Sequence, residues 1–451
     1  MCWVVCTPET LGGAEQGQLI GTRSMALAQQ LGLAALTALS SDVTPLGLAC
    51  TSDLDCSLNG LCEAGVCRCD VPWHGPDCGV LTRLPAKAAD SAAVYGYSPN
   101  VTSWGASILR GDEQPSARYH MFVAEIPGGL QEWGSRSRCV HAVSDNRDGP
   151  FVRSDVVLGA ECHGPVAVRD PSDGAWLLFH QGGGPPGSNS SAFLRTARSP
   201  YGPWTPSSAT PGGSCGMPTA AFHPNGTLYV VCGNGATLHS APSRDGPWSP
   251  LEIQLPRAED WEDPTLWFDR RGNFHIVNHV YSLAPFSAGE YNVASGHMLS
   301  HDGLEWRRAA SAPFDGTVAL TDGRSVTFAT RERPQLVFGD AARTTPVGLT
   351  SAVSSQPIGT ACDSCSQGAC SQCKVTAGRD WTYTVFQPLD EGKTPPGPSP
   401  GPSPGPSPGP SPPPPIDRRA LVSRADVHVS SVDTGAFLSV GNGETDSYVI
   451  V

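Results

Sequence analysis

Acidic and basic side chains are grouped in two short stretches, and each stretch ends in proline. One reads Trp261-Glu262-Asp263-Pro264 and the other Arg331-Glu332-Arg333-Pro334. Two carboxyl groups can share general acid and general base catalysis when their surroundings raise the pKa of one of them. The predicted catalytic residues are Asp263 and Glu332 as the acid/base pair with Glu262 beside them, and Arg331 and Arg333 are predicted to orient a ligand.

A structural interpretation of the same residues stays open. Asp263 and Glu332 can instead form ion pairs with arginines that tie neighbouring repeats together. Catalysis needs two or more carboxylates converging on one space at a suitable separation. His275 and His279 share one face of a predicted strand and are interpreted as core side chains. We predict neither a metal nor a cofactor.

These residues lie within a repeated pattern. The phrase "SRDGPWSP" at 243–250 returns as "NRDGPF" at 146–151, "SPYGPW" at 199–204 and "SHDGLEW" at 300–306. A second phrase, a turn with Asp, Asn or Gly followed by alternating apolar residues, recurs in step with it and predicts a β-hairpin. Together they predict four-stranded units with a period of about 45–55 residues. Five copies in 81–390 predict an all-β, five-bladed β-propeller, in which the DGPW phrase joins the third and fourth strands of a blade and its aromatic ring packs between blades.

Six cysteines stand within residues 50–78, "CTSDLDCSLNGLCEAGVCRCDVPWHGPDC". This spacing resembles an EGF-like module over its whole length. The resemblance implies the disulfides Cys50–Cys62, Cys56–Cys67 and Cys69–Cys78, which a unit of about 30 residues needs because it buries too little apolar surface to be stable alone. The residues before Cys50 lack the acidic or amide groups of calcium-binding members, so no calcium is expected.

Residues 81–390 resemble the propeller superfamily of arabinanases, levansucrases and invertases, closest to glycoside hydrolase family 43. The resemblance is carried by "WEDPTLWFDRRGNFHIVNH" and by the DGPW phrases. It implies three carboxylates at the beginnings of the innermost strands of the first three blades, and an acid–base separation of about 6.5–9.5 Å for inverting hydrolysis. The corresponding positions here are Ser103-Trp104-Gly105, His163-Gly164-Pro165 and Gly216-Met217-Pro218, where no carboxylate stands.

Three residues at or beside these strand beginnings are predicted to bind substrate: Trp104, His163 and Trp261. An exposed indole ring stacks on the apolar face of a sugar. The alternative for each tryptophan is packing between blades.

The composition restricts the classes of binding partner and the cellular location that can be expected. The net charge is −13 and Lys and Arg are not clustered, which argues against nucleic acid and anionic membranes. Sixteen cysteines and sequons at Asn100, Asn189 and Asn225 indicate an oxidising, extracellular or cell-wall location. No segment is apolar over the length of a membrane span. The expected partners are a polysaccharide or a glycoprotein glycan, and a further extracellular protein.

The remaining segments are assigned by composition. Residues 1–49 form an N-terminal segment in which 25–41 is either a signal peptide or an ordinary helix. Residues 395–415 are a Ser/Pro-rich linker, which favours extended polyproline II, and 416–451 are a C-terminal tail with the β alternation of a truncated module. Four cysteines between Cys362 and Cys373 are predicted to form two disulfides.

Together these features predict an extracellular carbohydrate-active propeller that binds or hydrolyses cell-wall or matrix polysaccharide. The alternative is a non-catalytic matrix or adhesion protein that uses the EGF-like module and the propeller as interaction surfaces.

Overall fold

The structure is a computed structural model, and it describes residues 50–87, 92–96, 102–112, 117–182, 191–211, 215–233, 237–253, 261–280, 294–328, 330–354, 382–392 and three strands between 427 and 450. The predicted signal segment, the Ser/Pro-rich linker and the cysteines of 362–373 lie outside the described residues. Among the described residues, no helix has the length and apolar character needed to cross a membrane.

The first described residues form a small disulfide-rich module. It contains a 3₁₀ turn (Asp53–Cys56) and the hairpins β1 (Gly60–Glu63) with β2 (Val66–Cys69) and β3 (Trp73–His74) with β4 (Val80–Leu81). Its disulfides are Cys50–Cys62, Cys56–Cys67 and Cys69–Cys78, the pairs that the EGF-like pattern implies. Trp73 stacks against His297 and Trp267 of the propeller, so the module packs directly on it.

Five four-stranded antiparallel sheets follow, as the sequence predicts. A short strand, β5 (Ala93–Tyr95), precedes them. Blade 1 has β6 (Thr102–Arg110), β7 (Tyr119–Ile126), β8 (Arg138–Ser144) and β9 (Val152–Ala160), with a 3₁₀ turn (Leu130–Glu132) and helix α1 (Trp133–Arg136) between β7 and β8. Blade 2 has β10 (His163–Arg169), β11 (Trp176–Gln181), β12 (Ala192–Ala197) and β13 (Thr205–Pro206). Blade 3 has β14 (Thr219–Phe222), β15 (Leu228–Cys232), β16 (Thr237–Ala241) and β17 (Ser249–Glu252).

Blade 4 has β18 (Trp261–Phe268), β19 (Phe274–Val280), β20 (Ala294–Ser300) and β21 (Arg307–Arg308), and the hairpin β22 (Thr317–Ala319) with β23 (Ser325–Thr327) follows it. Blade 5 has β24 (Thr330–Phe338), β25 (Pro346–Ser354) and β26 (Tyr383–Pro388). A second unit, residues 393–451, contains a three-stranded antiparallel sheet of β27 (Val427–Val432), β28 (Gly435–Val440) and β29 (Ser447–Ile450).

The fourth strand of blade 5 comes from the other end of the propeller. Although β26 is the last propeller strand in sequence, it is only the third strand of this blade, and β5 is the outermost one. Tyr95 pairs with Thr384, and the Tyr95 hydroxyl donates to Glu125 of blade 1 at 3.0 Å. Strands from both ends of the propeller sequence therefore close the ring.

The DGPW turns are confirmed in both of their predicted roles. Each of the four phrases joins the third and fourth strands of a blade. Each aromatic ring packs on the preceding blade: Phe151 on Val94, Trp204 edge-on to Phe122, Trp248 edge-on to Phe179, and Trp306 in a cluster with Val231 and Leu238. The repeated phrase is thus a turn that also supplies the contact between blades.

Two disulfides lie inside the propeller and fix the beginnings of inner strands. Cys139–Cys162 links the start of β8 to the residue before β10, and Cys215–Cys232 links the end of β15 to the stretch before β14. The sequence left the pairing of these four cysteines open.

Candidate functional site: an acidic cluster on the propeller axis

Each innermost strand carries one residue in the left-handed backbone conformation near its beginning. These residues are Gly105, Gly164, Met217, Asp263 and Arg333, with φ of 68°, 55°, 50°, 56° and 52°. In blades 1, 2, 4 and 5 the residue coincides with a shift of strand register. A bulge of this kind changes the direction of the side chain. The five positions are structurally equivalent, and in blades 2 to 5 each precedes a proline.

Contacts between these positions show that they converge on the axis. A β-carbon placed on Gly105 would lie 3.0 Å from Cβ of Arg333, and one on Gly164 would lie 2.7 Å from its Nη1. The Nε atom of Arg333 lies 2.8 Å from a carboxylate oxygen of Asp263. The Arg333 side chain from blade 5 therefore runs over the glycines of blades 1 and 2, with Nη1 nearest Gly164 and Nε beside the carboxylate of blade 4.

Three carboxylates and an imidazole share this space. Glu262, Asp263, His279 and Glu332 each offer a ligand atom within 4.8 Å of the others. Glu262 and His279 are opposite each other on β18 and β19, and Glu332 comes from β24. Together with Arg333 these residues form what we call the axial cluster. Sequence analysis predicted that Asp263, Glu332 and Glu262 act together, and the fold brings all three into one place.

Burial controls the protonation of the axial cluster. Burial raises the pKa of Glu332 well above its usual value, and the charges of Asp263 and Glu262 raise it further. Burial also raises the pKa of Asp263, while Arg333 lowers it. Burial lowers the pKa of His279 to about 4. Because the guanidinium lies directly against Asp263, the arrangement favours an Asp263–Arg333 ion pair with the proton held on Glu332 and a neutral His279.

The spacing restricts the chemistry. Inverting hydrolysis places a water and a sugar between carboxyl groups about 6.5–9.5 Å apart, whereas these residues bring one ligand atom each within 4.8 Å of the others. Carboxylates and imidazole are also a donor set of the kind that binds divalent cations. In this arrangement the guanidinium of Arg333 is a cation already beside Asp263, one of these possible ligands.

The other predicted site residues lie around the axial cluster rather than in it. Arg331 is buried and donates to Ser351, to the backbone of Asp315 and to Gln387. Trp104 is buried against Ala124, Ile126 and Ala352. His163 is buried with its Nδ1 2.8 Å from the Ser137 hydroxyl. Trp261 begins β18, and its side chain lies outside the described residues.

One exposed aromatic residue near these strands was missed by the sequence analysis. Trp133, in α1 between β7 and β8, is 42% exposed, and its ring lies 5.3 Å from the ring of His163. The signal available was a tryptophan among glycine and polar residues, "LQEWGSR", in the connection after a second strand.

Comparisons with known proteins give likenesses of fold. No model of a known family matches the chain, and no curated protein matches its sequence. A thermostable family-43 glycoside hydrolase is 11% identical, with 73% of this chain and 100% of that chain covered and a TM-score of 0.43. An exo-β-1,3-galactanase from Phanerochaete chrysosporium is 9% identical, covering 69% and 64%, with a TM-score of 0.42. An α-L-arabinofuranosidase from Podospora anserina is 12% identical, covering 68% and 95%, with a TM-score of 0.43.

Proposed function

We propose that this protein is an extracellular, carbohydrate-binding propeller that holds a glycan at the axial cluster without cleaving it. The observation that carries the proposal is the position of Arg333. Its side chain fills the axis over Gly105 and Gly164 and pairs with Asp263. A charged cluster of convergent polar groups suits recognition of sugar hydroxyls, and a carboxylate already paired with a guanidinium is a poor general base.

The extracellular location is supported by five disulfides among the described residues. The N-terminal module, which we take as EGF-like, packs on blade 4 through Trp73 and through Asp77, whose carboxylate accepts from the backbone and hydroxyl of Ser311. We propose that it belongs to the same functional unit and offers its outer face to an extracellular protein partner, as the matrix-protein alternative requires.

Hydrolysis is the second candidate, and one observation favours it. The raised pKa of Glu332 is the property of a general acid at neutral pH. The second carboxylate would then be Asp263 or Glu262, each of which offers an atom within 4.8 Å of one of Glu332. A sugar would then have to displace Arg333 from the axis.

Binding and cleavage are separated by one set of assays. The full chain, produced in an oxidising host, is tested against a panel of plant and algal polysaccharides for binding and for release of reducing ends. Asp263→Asn and Glu332→Gln are the test variants, and Asp322→Asn, in the exposed turn after β22, is the matched control. We expect binding by the wild type and the control, weaker binding by the test variants, and no release of sugar. Release that disappears in both test variants establishes the hydrolase, and absence of binding by the folded protein refutes a carbohydrate function.

A further inference from the structure

The connection between β7 and β8 holds an aromatic ring rigidly beside the beginning of blade 2. Trp133 starts α1, and its backbone N–H donates to the carbonyl of Leu130. Leu130 packs on the cluster formed by Trp104, Ala124, Ile126 and Ala352. The base of the connection is therefore fixed in the core of blade 1, and the ring lies at the surface.

The far side of the same connection is attached to blade 2 by three separate links. The disulfide Cys139–Cys162 crosses between the two blades. The backbone N–H of Cys162 donates to the carbonyl of Ser137 at 3.0 Å, and the Ser137 hydroxyl lies 2.8 Å from Nδ1 of His163. A side chain held in this way loses little conformational entropy when a ligand binds it.

The Trp133 ring contacts His163 and is partly exposed to solvent. Its centroid lies 5.3 Å from the His163 ring with 45° between the planes, and 42% of the residue is exposed. His163 is buried, and burial together with the charge of Arg333 holds its pKa well below the usual value, so it is a neutral, apolar support. Tryptophan is enriched at binding interfaces, where part of its ring is covered and its N–H can meet a polar partner.

The position of Trp133 connects it to the axial cluster. Gly164 follows His163 directly, and a β-carbon on Gly164 would lie 2.7 Å from Nη1 of Arg333. Trp133 and Arg333 therefore approach two consecutive residues, His163 and Gly164, at the beginning of β10.

We propose that Trp133 is a sugar-stacking platform next to the axial cluster and that it selects hexopyranose chains over furanose chains. The proposal rests on the carbohydrate-binding function above and adds a subsite to it. A hexopyranose in its chair form presents a continuous face of C–H groups that can lie flat on an indole ring. A furanose is smaller and puckered, and it covers such a ring less completely.

The test compares the full-length wild type with Trp133→Ala and Trp133→Phe by calorimetry against cellohexaose, a β-1,3-galactan oligosaccharide and linear arabinan. Tyr201→Ala is the matched control, because Tyr201 is 45% exposed and lies in the β12–β13 turn at the opposite end of the strands. We expect Trp133→Ala to bind the hexopyranose ligand at least about tenfold more weakly. Trp133→Phe should retain most of the affinity, and the control should match the wild type.

The outcomes distinguish the two proposals. If the wild type and Trp133→Ala bind a hexopyranose chain equally well, the proposal that sugars stack on Trp133 is refuted. The proposed carbohydrate-binding function is then unaffected. Wild type that binds none of the three ligands overturns both. If Trp133→Ala fails to fold, the wild type labelled with 5-fluorotryptophan is used instead. The ¹⁹F resonance of Trp133 is the one that is absent from the spectrum of Trp133→Phe, and it must shift when the hexopyranose ligand is added. A resonance that does not shift at saturation refutes stacking on Trp133.

Discussion

Replacing Arg333 by Met tests whether the axial cluster depends on a buried ion pair. The substitution removes the charge and keeps much of the apolar stem of the side chain. Asp263 is buried with its carboxylate 2.8 Å from Nε of Arg333, and Glu332 and Glu262 approach the same space. Without the guanidinium, the ionised carboxylate is left buried beside two other acidic groups.

The expected cost follows from that geometry. Breaking a buried pair by removing one partner costs about 3–5 kcal/mol, which lowers the melting temperature by roughly 6–10 °C at about 2 °C per kcal/mol for a large domain. The loss of the guanidinium removes an interaction that lowers the pKa of Asp263. Because the folded-state pKa then rises further above the unfolded value, the variant keeps its stability below about pH 4 and loses it as the pH rises through the folded pKa.

The measurement is urea unfolding, followed by tryptophan fluorescence, at intervals from pH 4 to pH 8. The control is Arg198→Met, which removes an exposed partner of Asp173 and should cost less than about 1 kcal/mol. Adding Asp263→Asn to Arg333→Met should recover part of the loss, because the uncompensated charge is gone. The reasoning is refuted if Arg333→Met costs no more than the control at pH 7, or if its cost does not change with pH.

Three other predictions concern the stability of the propeller. Gly164→Ala should destabilise the fold by more than Gly226→Ala, because both glycines have positive φ but only a β-carbon at 164 would meet the guanidinium at 2.7 Å; urea unfolding of both variants checks this. Tyr95→Phe should cost about 1–2 kcal/mol in the same assay, since it leaves buried Glu125 without the 3.0 Å hydrogen bond from the closing strand; equal stability would show that this bond does not help to close the ring. Glu332→Gln should flatten the fall in stability from pH 4 to pH 8, because burial raises the pKa of Glu332 and the wild type loses stability as it ionises; parallel pH profiles would contradict the raised pKa.

The propeller was predictable because its signals are local. Each DGPW turn joins strands that are adjacent in sequence, and the hairpin glycines Gly174, Gly226 and Gly272 have φ of 72°, 90° and 83°, as their turns require. The closing strand was not predictable. It is three residues long, carries no alternation, and pairs with Thr384 across almost the whole propeller.

The sequence predicted that Asp263 and Glu332 would approach each other, but it did not predict which groups the two arginines contact. Proline marks equivalent bulges in blades 4 and 5, which is why Asp263 and Glu332 could be expected to meet. The separate roles of Arg331 and Arg333 could not be read in the same way. On a regular strand, residues two apart lie on one face, but the bulge at Arg333 breaks the alternation, so Arg333 reaches the axis and Arg331 reaches Gln387.

The side chain of Arg333 couples it through space to three other axial residues, Gly105, Gly164 and Asp263. A side chain as long as arginine crosses the axis only where the facing positions are empty, and Gly105 and Gly164 supply that room. A carboxylate at either position would need the volume that Arg333 fills. Its arrival therefore requires the departure of the guanidinium, which in turn leaves Asp263 uncompensated. The carboxylate of Asp263 on blade 4 and the glycines on blades 1 and 2 are thus all matched to the side chain of one arginine.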